Sequence, residues 1–419
     1  MIWRGFRVFL VVIFVALLCR ACLVKDVPTS KDTIKTSTNE ELSISYPTPK
    51  NVTINGVDYL ESQAPIGKFG GEMIESTIGE GPKTFNPFNC KDNISSQLSS
   101  VMYDGLLTSD PITGQPIPKL AKSFSISPDG KTYTIKLRHG IKWSDGKPIT
   151  ADDVVFTWRD IIFAGLGDTS TRDSLVIDDK LPTVKKIDDY TVIFTTPKPF
   201  APFVRMLSTS IAPKHFFISA VKNGGVDFDT FLSTNTNPSD FVVSGAFKLK
   251  EYVPAQRVVF ERNPNYYEIN KKGEKLPYLN RLVFLIVGDL NNEVLKFEAK
   301  ELDIISLQGS KVARYKAIEP HSDFKLYNLG PTTGTMYLSL NLNNRTNKKG
   351  KFYVDPIKQK WFQDLNFRKA VDYAIDRKNM VFNIANGIGA PLFTPESLNS
   401  IYLNKKLKPY DKDINKSKE

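Results

Sequence analysis

Residues 124–158 read FSISPDGKTYTIKLRHGIKWSDGKPITADDVVFTW, and this block restricts the fold more than any other part of the chain. Pro128-Asp129-Gly130 is a turn with a mechanism: a preset φ, a side-chain acceptor, then a residue that tolerates positive φ. Tyr133, Ile135 and Leu137 alternate with Thr134, Lys136 and Arg138, which predicts a strand with one buried face. Ser144-Asp145-Gly146 is a second turn. Thr150 is then a helix N-cap, with Asp153 three residues on as the Asp form of a capping box. Asp152 and Asp153 suit the positive end of a helix. Val154, Trp158, Ile161 and Ile162 supply its apolar stripe. The block therefore predicts a hairpin followed by a capped helix, and its paired carboxylates read as caps instead of an acid–base pair.

A chain of 419 residues exceeds what one core usually supports, so two or three domains are expected. Hydrophobic residues at 41% and charged residues at 24% are ordinary for a globular protein. The formal net charge is +11, but Lys and Arg are scattered among Asp and Glu. With no long basic run and no nucleic-acid motif, a solvated basic surface is expected and no nucleic-acid partner. Three Cys and three His, none at ligand spacing, point to no metal site and no cofactor, and too few Cys are present for a disulfide scaffold.

The amino terminus reads as an address. Residues 1–7 are basic, and VFLVVIFVALL at 8–18 is an uncharged run of eleven, shorter than a membrane span and the length of a secretory core. Ala21 precedes Cys22 in a pattern similar to a lipoprotein cleavage site, so residues 1–22 are expected to be a signal peptide, with Cys22 as a candidate for lipidation. Cys19 and Arg20 depart from that pattern, which leaves plain cleavage or an uncleaved anchor open. Residues 23–67 are rich in Ser, Thr, Lys, Pro and Asn and are expected to be mostly polar linker, with a short strand in Val52–Leu60.

Periodicity predicts further elements. Leu98, Val101, Met102 and Leu106 predict a helix within 95–107. Strands are expected at Tyr190–Thr196, within 244–267 and at Arg281–Val287. A helix is expected at Leu290–Lys300, with Val294, Leu295 and Phe297 on or near one face. Residues 301–305 are expected to lead into another strand, and two more strands are expected within 325–343, around Gly330-Pro331. Phe367, Ala370, Val371, Ala374 and Ile375 form a helical stripe, and Asp376 is placed to cap a short helix that Gly387 stops. Mixed strands and helices imply α/β or α+β lobes. No nucleophile elbow, Walker A loop, HExxH or dinucleotide fingerprint is present, and Gly70-Gly71 and Gly224-Gly225 are too isolated to cradle a phosphate. Binding without turnover is the expectation, so no catalytic residue is nominated.

The run MYDGLLTSDPITGQPIPKLAKSFSISPDGKTYTIKLRHGIKWSDGKPITADDVVFTW (102–158) resembles the family 5 extracellular solute-binding proteins, the oligopeptide- and dipeptide-binding components of ABC importers. GPKTFNPF (81–88), SGAFKLKEYVPAQRVVFERNPNYY (244–267), KELDII (300–305) and FRKAVDYAIDRKNMV (367–381) extend the resemblance from about residue 68 onward. It implies an α/β periplasmic-binding-protein type II fold: two lobes plus an extra inserted domain, with the second lobe incomplete. The implied domains are lobe I at 68–110 and 215–305, the inserted domain at 111–214, and part of lobe II at 306–419.

The resemblance also implies ligand-binding positions. The loop after TFNPF nominates Asn89, Cys90, Lys91, Asp92 and Asn93, with a small core residue as the competing reading for Cys90. Ser244, Gly245 and Ala246, and the crossover at Ile305, Ser306 and Leu307, are the other candidates. A peptide ligand would be held mostly by main-chain hydrogen bonds. The implied partners are that peptide, the membrane permease subunits of an importer, and a membrane surface reached through a lipid anchor, in the periplasm or on the outer face of the cytoplasmic membrane. The second lobe of the family runs past PYDKDINKSKE, and the aspartate that pairs with the ligand's amino terminus lies in that further part, so no residue here is assigned its role. A fragment, a degraded gene product and half of a split protein are the readings of that departure. The competing function is a non-transporting surface or chaperone-like lipoprotein, or a non-functional fragment, that keeps the fold.

Overall fold

The structure is a computed structural model that describes residues 49–110, 114–222, 227–329, 336–347, 349–384, 386–396, 403–404, 406–407 and 410–419. The expected signal peptide, Cys22, most of the linker, and the turns at Gly224-Gly225 and Gly330-Pro331 lie outside the described residues.

The first described element corrects the linker expectation. Strands β1 (Lys50–Ile54) and β2 (Val57–Glu61) form an antiparallel hairpin. Asn55 and Gly56 join them with φ of 49° and 79°, and two successive positive values match the right-handed twist of a hairpin. The Asn-Gly pair flanked by Val52, Ile54 and Val57 carried that signal, but the polar composition around it hid it. The strand β3 (Glu72–Ile78) follows, then helix α1 (Asn93–Ser100), capped by Asp92. α1 stops at Ser100 and not beyond Leu106, although Leu98, Met102 and Leu106 are all fully buried.

The short pair β4 (Leu107–Ser109) and β5 (Pro116–Pro118) comes next. β6 (Ala121–Ile126) and β7 (Thr132–Leu137) form the expected hairpin, and Tyr133, Ile135 and Leu137 are buried as the alternation requires. Helix α2 (Ala151–Phe156) runs on into a π-helical turn (Thr157–Ile162) and buries Val154, Trp158, Ile161 and Ile162. β8 (Thr183–Asp188) and β9 (Thr191–Thr195) complete an antiparallel sheet of order β6-β7-β9-β8. Asp153 joins these pieces. One carboxylate oxygen accepts from Thr150 N at 2.9 Å, and the other accepts from Lys214 N at 2.9 Å, at the start of helix α3 (Lys214–Lys222). Trp143 Nε1 also points at it, at 3.4 Å. Burial raises its pKa despite these donors. The WSDG turn and the capped helix are thus a scaffold. Trp143 and Trp158 are fully buried, and truncating either to Ala would cost about 3–5 kcal/mol.

The second sheet has order β10-β11-β13-β3, built from β10 (Phe247–Val253), β11 (Arg257–Arg262), β13 (Arg281–Val287) and β3. β13 and β3 are parallel, paired from Arg281–Glu72 to Val287–Ile78, and the other pairs are antiparallel. The short β12 (Glu268–Ile269) pairs with β2 in parallel, which fastens the hairpin to the body. At that joint Lys119 Nζ donates to Glu268 and to Tyr266 Oη (2.7 Å), and lies 3.8 Å from Asp104. Tyr267 donates its hydroxyl to Asp104 at 2.8 Å. Burial works against the Lys119 charge, but the two carboxylates outweigh it and raise its pKa.

Helices α4 (Leu290–Glu298) and α5 (Gly309–Ile318) follow β13, then α6 (Pro356–Gln363), α7 (Leu365–Ala374), α8 (Arg377–Ile384) and α9 (Ile414–Lys418). Packing changes sharply here. Two apolar cores, one around Trp158, Phe194 and Phe203 and one around Phe85, Phe217, Phe260 and Phe284, lie before Tyr315 in the chain. Among the described residues, no hydrophobic side chain after Tyr315 is buried. The strands expected within 325–343 do not appear in the described residues of that span, and Met336 and Tyr337 are 93% and 79% exposed. An extended segment becomes a strand only where a neighbour accepts its ladder, and among the described residues none pairs with it. Residues 301–305 likewise lead into no strand but into helix α5, and Leu295 is 61% exposed instead of packed. The stripe on α7 is real in register but has no buried member.

A candidate binding cleft at the carboxyl ends of a parallel strand pair

Parallel β3 and β13 end side by side at Ile78 and Val287, and Gly79 N donates to Val287 O at 2.8 Å as the chain leaves the sheet. Ligands of open α/β sheets bind outside the carboxyl ends of parallel strands, where the loops diverge. Here the diverging loops are 79–92 and 288–289. Gly81 has φ of +96°, a backbone conformation that favours glycine, and its Cα packs close to Ile286 at the end of β13. An open groove of about 380 Å³ lies between β13 and α4, lined by Ile286, Gly288, Asn292, Leu295 and Lys296 among others.

The 79–92 loop is held from below. Asn86 is fully buried: its amide donates to Phe228 O at 3.2 Å and its oxygen accepts from Phe88 N at 3.0 Å. The chain beyond the π-helical turn buttresses it from the side through Asp168 N, which donates to Phe88 O at 2.7 Å. On this frame Lys91 and Asn93 are exposed, and Asp92 caps α1 by accepting from Ser95 N at 2.9 Å. Asn89 donates to Phe228 O at 2.9 Å, while its Oδ1 is buried with no hydrogen-bond partner. Cys90 is half-buried, with Sγ 3.2 Å from Asn86 O and 3.3 Å from Ser99 Oγ, and burial pushes its thiol pKa up.

The other candidates sit differently. Ser244 is buried and its hydroxyl accepts from Asp104 N at 2.9 Å. Gly245 N donates to Met102 O at 2.7 Å, and Asn263 N donates to Ala246 O. A Cβ on Gly245 would come within 2.5 Å of Val101 O. This segment is a close-packed joint between β10 and the end of α1. Ser306 is exposed, and Ile305 and Leu307 are half-buried. They follow Asp303, which is tied to β3: Ile74 N donates to Asp303 Oδ2 at 2.7 Å and Asp303 N to Ile74 O at 2.8 Å. The 305–307 segment is thus anchored to β3 at Ile74, while the 89–93 loop is held by Phe228, Asn86 and Ser99. Sequence reasoning missed Gly81 and Asp303. The GEG spacing was a signal for the first, while the second needed knowledge of which strand lies alongside. Among the described residues no group of three or more His, Cys, Asp or Glu is placed to hold a metal ion.

Residues 115–419 match the sequence profile of the bacterial extracellular solute-binding proteins, family 5 (middle). A probable ABC transporter-binding protein of Deinococcus radiodurans is 31% identical over 74% of this chain and 52% of its own length. The oligopeptide-binding protein AppA of Bacillus subtilis is 27% identical over 78% of this chain and 54% of its own. The crystal structure of the ABC transporter substrate-binding protein CtaP of Listeria monocytogenes aligns with TM-score 0.60 at 28% identity, covering 84% of this chain and 64% of that one. The chain thus spans about half the length of the curated relatives it matches, and its fold is that of the α/β periplasmic binding proteins. The chain belongs to the bacterial extracellular solute-binding proteins of family 5.

Proposed function

We propose that this chain is the ligand-capturing part of an extracytoplasmic receptor that delivers oligopeptides or dipeptides to an ABC importer. The observation that carries the reading is the parallel β3–β13 pair, whose carboxyl ends present a braced loop to open space. A relative at 27% identity is named as an oligopeptide-binding protein, and its structure is described in complex with a nonapeptide. Lys91 and Asn93 supply exposed polar groups at the loop, and Ser306 supplies one at the crossover. Main-chain recognition would let one cleft accept varied side chains. Export through residues 1–22, anchorage at Cys22 and docking to permease subunits complete the proposal.

The test is a thermal melt of the chain from Cys22 onward, with and without a mixed pool of di- to pentapeptides. The hairpin β1–β2 belongs in the protein tested because it pairs with β12. A ligand that binds only the folded state raises Tm by mass action. A shift with the pool that free amino acids do not reproduce is the expected result; no shift at peptide concentrations up to the millimolar range would count against peptide capture.

A further inference from the structure

Residues 306–419 hold twenty Lys and Arg against ten Asp and Glu, so ten of the eleven net positive charges of the chain fall in its last quarter. The concentration is densest around one small protrusion. Thr346 bridges Phe352, Asn347 N donates to Lys351 O at 2.9 Å, and Tyr353 N donates to Arg345 O at 3.2 Å. Asn347 Oδ1 closes the tip by accepting from Lys349 N (2.9 Å) and Lys351 N (3.1 Å). α6 follows directly. Arg345, Lys349, Lys351, Lys358 and Lys360 are all exposed. The ion pairs of this part of the chain join Lys300 to Asp323, Arg314 to Glu298, Arg377 to Asp372, Lys378 to Asp411, Lys412 to Asp376 and Lys416 to Asp413. None reaches the five cations among the described residues. The one carboxylate within the segment, Asp355, accepts from Ile357 N and Lys358 N as the cap of α6.

A basic protrusion is ordinarily a solvated face. In this one, exposed apolar side chains stand among the cations. Phe352 and Tyr353 are exposed on the tip itself, and Ile357 and Trp361, four residues apart on one side of α6, are 63% and 52% exposed beside Lys358 and Lys360. Cations interleaved with exposed aromatic side chains are the composition that partitions into the headgroup region of an anionic bilayer. We propose that the 345–361 protrusion docks on an anionic phospholipid surface, the Lys and Arg side chains meeting lipid phosphates and Phe352, Tyr353 and Trp361 entering the interface. This rests on the extracytoplasmic placement proposed above, which makes the membrane face the polyanion the chain meets. The docking would hold the receptor at the bilayer in a defined orientation.

The test is sedimentation of the chain from Cys22 onward, made without lipidation, with vesicles of phosphatidylglycerol and phosphatidylcholine, or of phosphatidylcholine alone. The comparison protein carries Lys349→Gln, Lys351→Gln, Lys358→Gln and Lys360→Gln together, and an unchanged Tm shows it is folded. Retention on anionic vesicles that weakens with salt, and falls at least about tenfold in the variant, is the expected result. Trp143 and Trp158 are fully buried and Trp361 is not, and Trp3 is absent from this form, so a blue shift of the Trp emission on anionic vesicles reports Trp361 entering the interface. Equal retention of the two proteins, or equal binding to phosphatidylcholine alone, overturns the proposal. A double-stranded DNA fragment bound as tightly at the same ionic strength overturns it too, by making the patch a general polyanion surface. None of these outcomes depends on peptide capture, which the melt reads separately.

Discussion

Ile74 and Asp303 exchange two hydrogen bonds, Ile74 N to Asp303 Oδ2 at 2.7 Å and Asp303 N to Ile74 O at 2.8 Å, across 229 residues of chain. β3 is the outer strand of its sheet, so its far side has free backbone groups. The Asp303 carboxylate satisfies one of them and so fixes the chain beyond α4 against this sheet. Asp303→Ala is expected to lower stability by about 1–2 kcal/mol, read as a lower urea midpoint. Asp303→Asn keeps one acceptor oxygen and is expected to lose less. If the two variants match wild type, the carboxylate does not hold the crossover.

Asp58 gives the hairpin its attachment and an acid-sensitive step. It accepts from Thr53 Oγ1 at 2.6 Å, Lys122 Nζ at 2.9 Å and His139 N at 3.1 Å. Burial alone would raise its pKa, but the Thr53 and Lys122 side chains and the His139 amide together hold it below the ordinary value. A depressed folded-state pKa gives stability that is present above the unfolded value, about 3.9, and lost as pH falls through the lower folded value. Urea midpoints are therefore expected to fall between pH 5 and pH 2.5 in wild type, and to fall less in Asp58→Asn, which starts lower by about 1–3 kcal/mol.

Cys90 is expected to react slowly. Burial raises its thiol pKa, chiefly by desolvation, and the thiolate is the nucleophile. With Cys19 and Cys22 replaced by Ser, labelling by iodoacetamide at neutral pH is expected to be at least about tenfold slower than in urea-unfolded protein. Equal rates would place Cys90 in open solvent.

Uneven packing is expected to show in proteolysis. Local opening is easiest where few apolar groups are buried, and no described hydrophobic side chain beyond Tyr315 is. Among the described residues, brief digestion is expected to cut beyond residue 321 before it cuts within the two sheets. Mass spectrometry of the early products reads this. Early cuts inside β6–β9 would contradict it.

Local structure was legible wherever short-range physics decides it. The Pro128-Asp129-Gly130 turn, the alternation of Tyr133, Ile135 and Leu137, the Thr150–Asp153 cap and the strand Arg281–Val287 all appear where periodicity and turn chemistry placed them. The Asn55-Gly56 hairpin was also written in the sequence, but its polar surroundings obscured it. The candidate cleft was only half legible. The loop after TFNPF could be named, yet nothing local shows that Asn89 lies under Gly167, whose Cβ would fall 2.3 Å from its Oδ1, or that Ser244 is turned inward against Asp104.

The sequence by itself thus determined the turns, caps, amphipathic faces and family of this protein, because each depends on residues close together in the chain. Only the tertiary structure decided which faces find a partner. The stripe of Trp158 meets Phe194 and Phe203 and is sealed. The equally regular stripe of Phe367, Val371 and Ile375 buries none of its members. A periodic pattern states that a face seeks cover, while the burial that stabilises it depends on distant chain arriving there.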